Sequence, residues 1–142
     1  TSGLLGPRAI APQWDRVVVT AAGDSNRNSP VALDIVFVRD QVVIDALLAT
    51  SSGKWFSSRA DLQRTFPEVV SVLSLELVPN QSMQIDRKVL QSKTGLAAIL
   101  YADYPGPGEH RERLQLTASG YVVQLGASGF KVAEVNSRTA SR

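Results

Sequence analysis

Between Trp14 and Asp40 the chain reads WDRVVVTAAGDSNRNSPVALDIVFVRD, and its apolar positions fall into two runs. The first, Arg16–Ala21, is rich in β-branched residues. The second places Val31, Leu33, Ile35 and Phe37 at alternate positions, with Ala32 and Asp34 between them. This period of two predicts strands with one buried face. Between the runs lies Gly23–Pro30, GDSNRNSP, whose Gly, Asp, Asn and Ser favour turns. The pair reads as a hairpin with a loop longer than a tight turn needs. Such a loop is either a plain solvated connection or a binding element.

After Asp40 the period changes. Asp40–Thr50 has an N-capping Asp and apolar residues near helical spacing, which predicts a short helix. Ser51–Lys54 reads as a loop. Ser58 with Asp61 resembles a capping box, Ala60, Leu62 and Phe66 give the following segment an apolar side, and Pro67 ends it. Trp55 and Phe56 are expected to pin this excursion onto a sheet. Alternation returns at Val69–Val78, with Leu73, Leu75 and Leu77 on one face and Ser74 and Glu76 on the other. Pro79–Asn80 makes a turn, and Ser82–Val89 alternates again. Leu96–Tyr104, LAAILYADY, is almost continuously apolar and suits a central strand covered on both faces. Pro105–Gly108 is the strongest breaker. Arg111–Thr117 alternates, and TASGYVVQL followed by GASGFKVAE gives two strands with equivalent small-residue turns. Leu33, Ile35, Phe37, Leu75 and Ile99 are the expected core. The fold expected is all-β and mainly antiparallel, a sandwich of about eight strands with a short helical insertion after strand two. Residues 1–13 read as an extended leader and flexible tether, 14–136 as the sandwich domain, and 137–142 as a polar tail.

Composition narrows the chemistry more than the fold. The 142 residues suit one domain. There is no cysteine, so disulfides, a thiol nucleophile and thiolate metal sites are excluded. A net charge of +2 is too small to mark a nucleic-acid footprint. No run approaches the roughly 18 apolar residues of a membrane span. The first residues lack Met and a signal peptide's apolar core, which reads as a mature chain with any targeting segment removed. The one histidine, His110, stands beside Glu109 with no nucleophile or metal partner near it in sequence. Asp34, Asp45, Glu76 and Asp86 are scattered singly, Asp24 lies outside any calcium-loop pattern, and no phosphate-binding or nucleophile-elbow motif occurs. No catalytic residue, metal ligand or cofactor is expected. The basic residues Arg87, Lys88, Arg111 and Arg113 lack the interleaved aromatics of an RNA-binding sheet.

The segment VVVTAAGDSNRNSPVALDIVFVRD resembles the start of the TssJ-type outer-membrane lipoproteins of the bacterial type VI secretion system. Val17–Ala22 matches that family's first strand and Ser29–Val38 its second, with Asn26 and Asn28 in the Asn-rich loop. The excursion Asp40–Phe66 is similar to the family's helical insertion. Leu77–Gln81, LVPNQ, resembles its LxPG turn, with Asn80 in place of Gly. The later strands fit by pattern only. The resemblance implies a transthyretin-like β-sandwich, acylation at an N-terminal cysteine, and attachment to the periplasmic face of the outer membrane. It also implies binding of the periplasmic C-terminal domain of an inner-membrane TssM (IcmF-type) protein through the loop between strands one and two. On this chain the partner-binding residues would be Asp24, Ser25, Asn26, Arg27 and Asn28. The chain departs from the family in lacking the acylated cysteine and in having a shorter loop.

The function expected is thus a non-enzymatic structural lipoprotein of that envelope complex. The alternatives are a carbohydrate- or peptidoglycan-binding module that stacks sugars on Trp55, Phe56 and Tyr104, and a small hydrolase using His110 and Glu109.

Overall fold

Strands β1 (Arg16–Ala21) and β2 (Val31–Val38) form where the alternation places them, but they do not pair with each other. In the computed structural model, which describes residues 8–106 and 108–135, each belongs to a different sheet. The segment between them is therefore an arch from one sheet to the other, not a hairpin loop. Alternation alone cannot tell the two apart, because it fixes which face is buried and not which strand lies alongside.

The other strands are β3 (Val70–Leu77), β4 (Ser82–Gln84), β5 (Ala97–Ala102), β6 (Arg111–Leu114), β7 (Gly120–Leu125) and β8 (Phe130–Glu134). One sheet has the order β4-β1-β7-β8 and the other β3-β2-β5-β6. All pairings are antiparallel except β1 with β7, which run parallel from Arg16↔Gly120 to Ala21↔Leu125. The sandwich of eight strands expected from the sequence is the architecture observed.

Two helices follow β2: α1 (Gln41–Leu48) and α2 (Ser52–Thr65). Asp40 caps α1 by accepting the Val42 N–H at 2.8 Å. The start of α2 lies earlier than its capping-box pattern indicates. Ser51 is the N-cap, so Ser52–Lys54 is helical, while the Ser58 hydroxyl bonds back to the Lys54 carbonyl at 2.7 Å and Asp61 pairs with Arg64. The inward stripe is Trp55, Arg59 and Leu62, at steps of four and three; Ala60 and Phe66 are exposed. A third helix, α3 (Arg87–Gln91), replaces the second half of the strand expected over Ser82–Val89. Asp86 caps it by accepting the Lys88 N–H. Alternation over so few residues does not outweigh an Asp at an N-cap.

The core has two layers. Between the sheets pack Trp14, Val17, Val19, Leu33, Ile35, Phe37, Leu100, Tyr121 and Val123, with Trp14 edge-on to Tyr121 at 5.6 Å. Between sheet β3-β2-β5-β6 and the helices pack Val36, Val38, Ile44, Leu47, Trp55, Ile99 and Tyr101. Strand β2 is consequently buried on both faces from Leu33 onward, beyond the one buried face read from its alternation. Strand β5 is buried throughout, as its continuous apolar run requires. Ile99 is core but in the helix layer, and Leu75, on edge strand β3, is half-buried. Trp55 stacks on Tyr101 with centroids 5.2 Å apart and planes 6° from parallel, and so pins α2 to the sheet.

Of the leader, residues 8–13 are described: Ile10 bridges Gly95, and the Gln13 N–H bonds the Leu116 carbonyl at 2.7 Å. Residues 1–7 and the polar tail 137–142 lie outside the described residues. The strand ends place four connections at one end of the sandwich: β1–β2, β3–β4, β5–β6 and β7–β8. Ile10, α3 and the β6–β7 turn lie at the opposite end.

Candidate docking surface

The β1–β2 arch is held by its own backbone and by the neighbouring hairpin. The Ala22 N–H donates to the Leu125 carbonyl and the Asn26 N–H to the Gly126 carbonyl, both at 3.0 Å, so the arch is tied to the β7–β8 connection. Within it, Ser25, Arg27 and Asn28 donate to the carbonyls of Ala22, Asp24 and Ser25, closing a 3-10 turn over Ser25–Arg27. The Asn26 side-chain amide donates to the Pro30 carbonyl at 2.9 Å.

Three successive residues, Asn26, Arg27 and Asn28, have positive φ of 46°, 52° and 67°. Asparagine tolerates the left-handed region through local hydrogen bonds; arginine has no such compensation, and its Cβ crowds the backbone. Arg27 is thus held in a costly conformation by the bonds on either side of it, with its side chain exposed.

The sequence-expected docking residues divide by exposure. Asp24, Arg27 and Asn28 are exposed and Asn26 is half-buried, and Asn26 and Arg27 border one cavity. Ser25 is fully buried, with no hydrogen-bond partner for its hydroxyl among the described residues. It packs the arch from within and offers a partner no side chain.

Three further connections join this surface: β5–β6, which contains the Pro105–Gly108 breaker, β7–β8 and β3–β4. Tyr104, fully packed, donates its hydroxyl to the Gly126 carbonyl at 3.0 Å, linking the β5–β6 and β7–β8 connections. Burial pushes its pKa up to about 12, so the phenol stays a donor at any physiological pH. Asn80 in the β3–β4 turn has φ of 69° and donates its backbone N–H to the Ala21 carbonyl. That left-handed position explains how Asn stands where the LxPG pattern has Gly. A cavity of about 200 Å³ lies between Arg27, Tyr104, Gly106 and Ser128. A larger groove of about 610 Å³ lies on the other side of the β7–β8 tip, bordered by Ala22, Gln124, Phe130 and Lys131.

His110 belongs to the same end. Its ring lies 5.1 Å from that of Tyr104, and its Nε2 is 3.2 Å from the Gly106 carbonyl. Glu109 pairs with Arg111 instead of His110, and its carbonyl accepts the Ser52 N–H at 2.9 Å, tying this connection to the start of α2. Among the described residues no three His, Asp or Glu side chains gather where they could hold a metal ion. The aromatic residues considered for sugar stacking are committed elsewhere. Trp55 and Tyr104 are buried, and Phe56 is half-buried with the Arg59 guanidinium 5.1 Å from its ring centre.

No family model matches the chain, and no curated protein matches it in sequence. Solved structures do match its fold. The type VI secretion lipoprotein TssJ1 from Pseudomonas aeruginosa aligns at a TM-score of 0.61 and 16% identity, covering 92% of this chain and 98% of that one. Serratia marcescens Lip, described as a membrane-bound component of the type VI secretion system, aligns at 0.54 and 13% over 92% and 99%. A chain of the structure described as the TssM C-terminal domain from EAEC aligns at 0.58 and 11% over 90% and 99%. The chain therefore has the sandwich fold of the TssJ lipoproteins along nearly its whole length, at identities that establish fold alone.

Proposed function

We propose that this chain is a non-enzymatic structural lipoprotein of a type VI secretion envelope complex, and that its β1–β2 arch docks the periplasmic C-terminal domain of a TssM-type inner-membrane protein. The observation that carries this reading is the arch itself. It holds Arg27 in a left-handed conformation, exposed, on a turn fixed by hydrogen bonds to two neighbouring connections. A surface already ordered loses little conformational entropy on binding, and arginine is enriched among the residues that dominate interfaces. The fold likeness supports the reading, because TssJ1 and Lip are both described as type VI secretion components, and a chain of this fold occurs in the structure described as the TssM C-terminal domain. We further propose a lipid anchor preceding the described residues and a place at the periplasmic face of the outer membrane. The arrangement is consistent with that placement: residue 8 leaves the domain at the end opposite the arch, which leaves the arch facing away from an anchored end.

The test is calorimetry with the TssM-type C-terminal domain. Replacing Asp24–Asn28 by Gly and Ser residues should weaken binding by about 1 kcal/mol or more while the fold remains intact. Unchanged affinity in a folded variant would move the interface off the arch.

A further inference from the structure

The β7–β8 tip, Ala127–Ser128, is a ridge with a cavity on each side. Toward the arch lies the 200 Å³ cavity bordered by Arg27; toward the open sheet face lies the 610 Å³ groove bordered by Lys131. Each cavity is lined by one cation and no carboxylate. Among the described residues neither cation has a carboxylate within ion-pair distance. Asp24, the nearest acid in sequence, lines neither cavity.

The larger groove is mainly apolar. It is lined by Ala22 and the small residues Gly126–Gly129, beside Leu125 and Phe130, whose side chains pack toward the inter-sheet core. Beyond it Thr20, Gln124 and Lys131 form one polar row across β1, β7 and β8, set by the register Thr20↔Gln124 and Gln124↔Lys131. Among the described residues the helix layer of α1 and α2 lies on the other sheet. The groove is also continuous with the arch. Leu125 and Gly126 accept the two N–H groups that fix the arch in place, and Ala127 and Ser128 line both cavities.

Resting on the docking reading above, we propose that the partner domain crosses the β7–β8 tip with an acidic–apolar segment. One carboxylate reaches Arg27 and another Lys131, with an apolar side chain between them seated against Ala22 and the small residues Gly126–Gly129. Two cations that have no acid of their own flank an apolar trough, and that arrangement is complementary to acid–apolar–acid spacing in an extended segment. It disfavours a basic segment, which would bring like charges together. The footprint is then the arch and the β7–β8 tip together, not the arch alone.

Gly129 gives a direct test. A Cβ there meets no atom within 4 Å, so Gly129→Leu projects a side chain into the groove without displacing the fold. With the TssM-type C-terminal domain as probe, Gly129→Leu and Lys131→Glu should each weaken binding about tenfold or more, with unchanged melting temperature. Added salt should weaken the parent more than Lys131→Glu. If the Gly/Ser arch variant loses affinity while Gly129→Leu and Lys131→Glu bind like the parent, the groove is not part of the interface and this inference fails, although docking through the arch stands. A parent chain with no affinity for the probe overturns the docking reading and the groove with it.

Discussion

Trp55 donates its indole N–H to a carboxylate oxygen of Asp34 at 2.8 Å, inside the layer between the helices and the sheet. Both residues are fully buried. Asp34 also accepts from Arg59 and from the Ser74 hydroxyl, each at 2.7 Å. One acidic residue in the middle of an apolar strand therefore joins β2, α2 and β3, and fixes which face of α2 meets the sheet. Arg59 keeps its charged end partly in water, at 38% side-chain exposure, so removing Asp34 leaves it solvated but strands the indole N–H. Removing Arg59 instead leaves a buried carboxylate with only neutral donors.

Arg59→Ala is accordingly expected to cost about 3 kcal/mol, the lower end for breaking a buried ion pair, because Arg59 is not itself fully buried. Asp34→Ala should cost less, about 1–3 kcal/mol, the range for an orphaned buried donor. Urea denaturation of the two variants checks the order. The opposite order would mean that the indole bond, and not the ion pair, dominates the latch.

The strands were legible in the sequence because a period of two follows directly from the pleat. Val31–Val38 and Arg16–Ala21 are bounded in the structure as the pattern bounds them. What was not legible is which strand neighbours which, since β1 pairs with β7 more than a hundred positions away and no local signal encodes that. The Asp34 latch was present as a polar residue in an apolar run and as an arginine four positions after Trp55, but each is unremarkable until the helix is laid on the sheet. The start of α2 was missed because Ser51 and Ser58 are both acceptable caps, and tertiary packing of Trp55 selects the first. At the candidate surface the arch residues were legible as a polar loop. The β7–β8 groove was not, because small residues such as Ala127 and Ser128 carry no chemical signature until the register brings them beside Arg27.

Glycines at two positions should respond oppositely to alanine. A Cβ on Gly120 would lie 2.2 Å from the Arg16 carbonyl oxygen, a backbone atom in the parallel β1–β7 ladder. Gly120→Ala must separate those strands and should cost several kcal/mol, more than the roughly 1–3 kcal/mol of ordinary overpacking. Gly53, in the first turn of α2, has open space around a Cβ. Gly53→Ala should stabilise by about 0.5–1 kcal/mol through helix propensity. Thermal melts of both variants decide it; a well-folded Gly120→Ala protein would contradict the β1–β7 register.

Stability should fall in strong alkali. Burial raises the pKa of Tyr101 and of Tyr104 from 10.0 to about 12, with Arg111 opposing the rise at Tyr101 and the Gly126 hydrogen bond opposing it at Tyr104. Between these values the unfolded chain has lost the phenolic proton and the folded chain has kept it. The contribution is thus complete below pH 10 and is withdrawn as pH rises toward 12, by about 1.4 kcal/mol per pH unit for each tyrosine. Tyr101→Phe should lower stability at neutral pH, because the Leu47 carbonyl loses its 2.6 Å donor, and should also flatten the alkaline slope. Denaturation midpoints measured across that range in parent and variant provide the comparison; equal slopes would remove Tyr101 as a source.

Arg27 separates strain from recognition. With φ of 52°, it occupies a region where a β-branched side chain is strongly disfavoured and glycine is at ease. Arg27→Val should destabilise the protein, because a branched Cβ is disfavoured there beyond the cost arginine already bears. Arg27→Gly exchanges relief of that strain against the larger backbone entropy of glycine, two effects of about 1 kcal/mol and opposite sign, and should leave the melting temperature nearly unchanged. Both variants lack the guanidinium. If Arg27 anchors the docked domain, both should lose affinity for the TssM-type C-terminal domain to a similar extent despite their different stabilities. If affinity instead follows stability, falling for Arg27→Val and holding for Arg27→Gly, the left-handed turn matters only as the shape of the arch, and the anchoring contact belongs to Asp24, Asn28 or the β7–β8 tip.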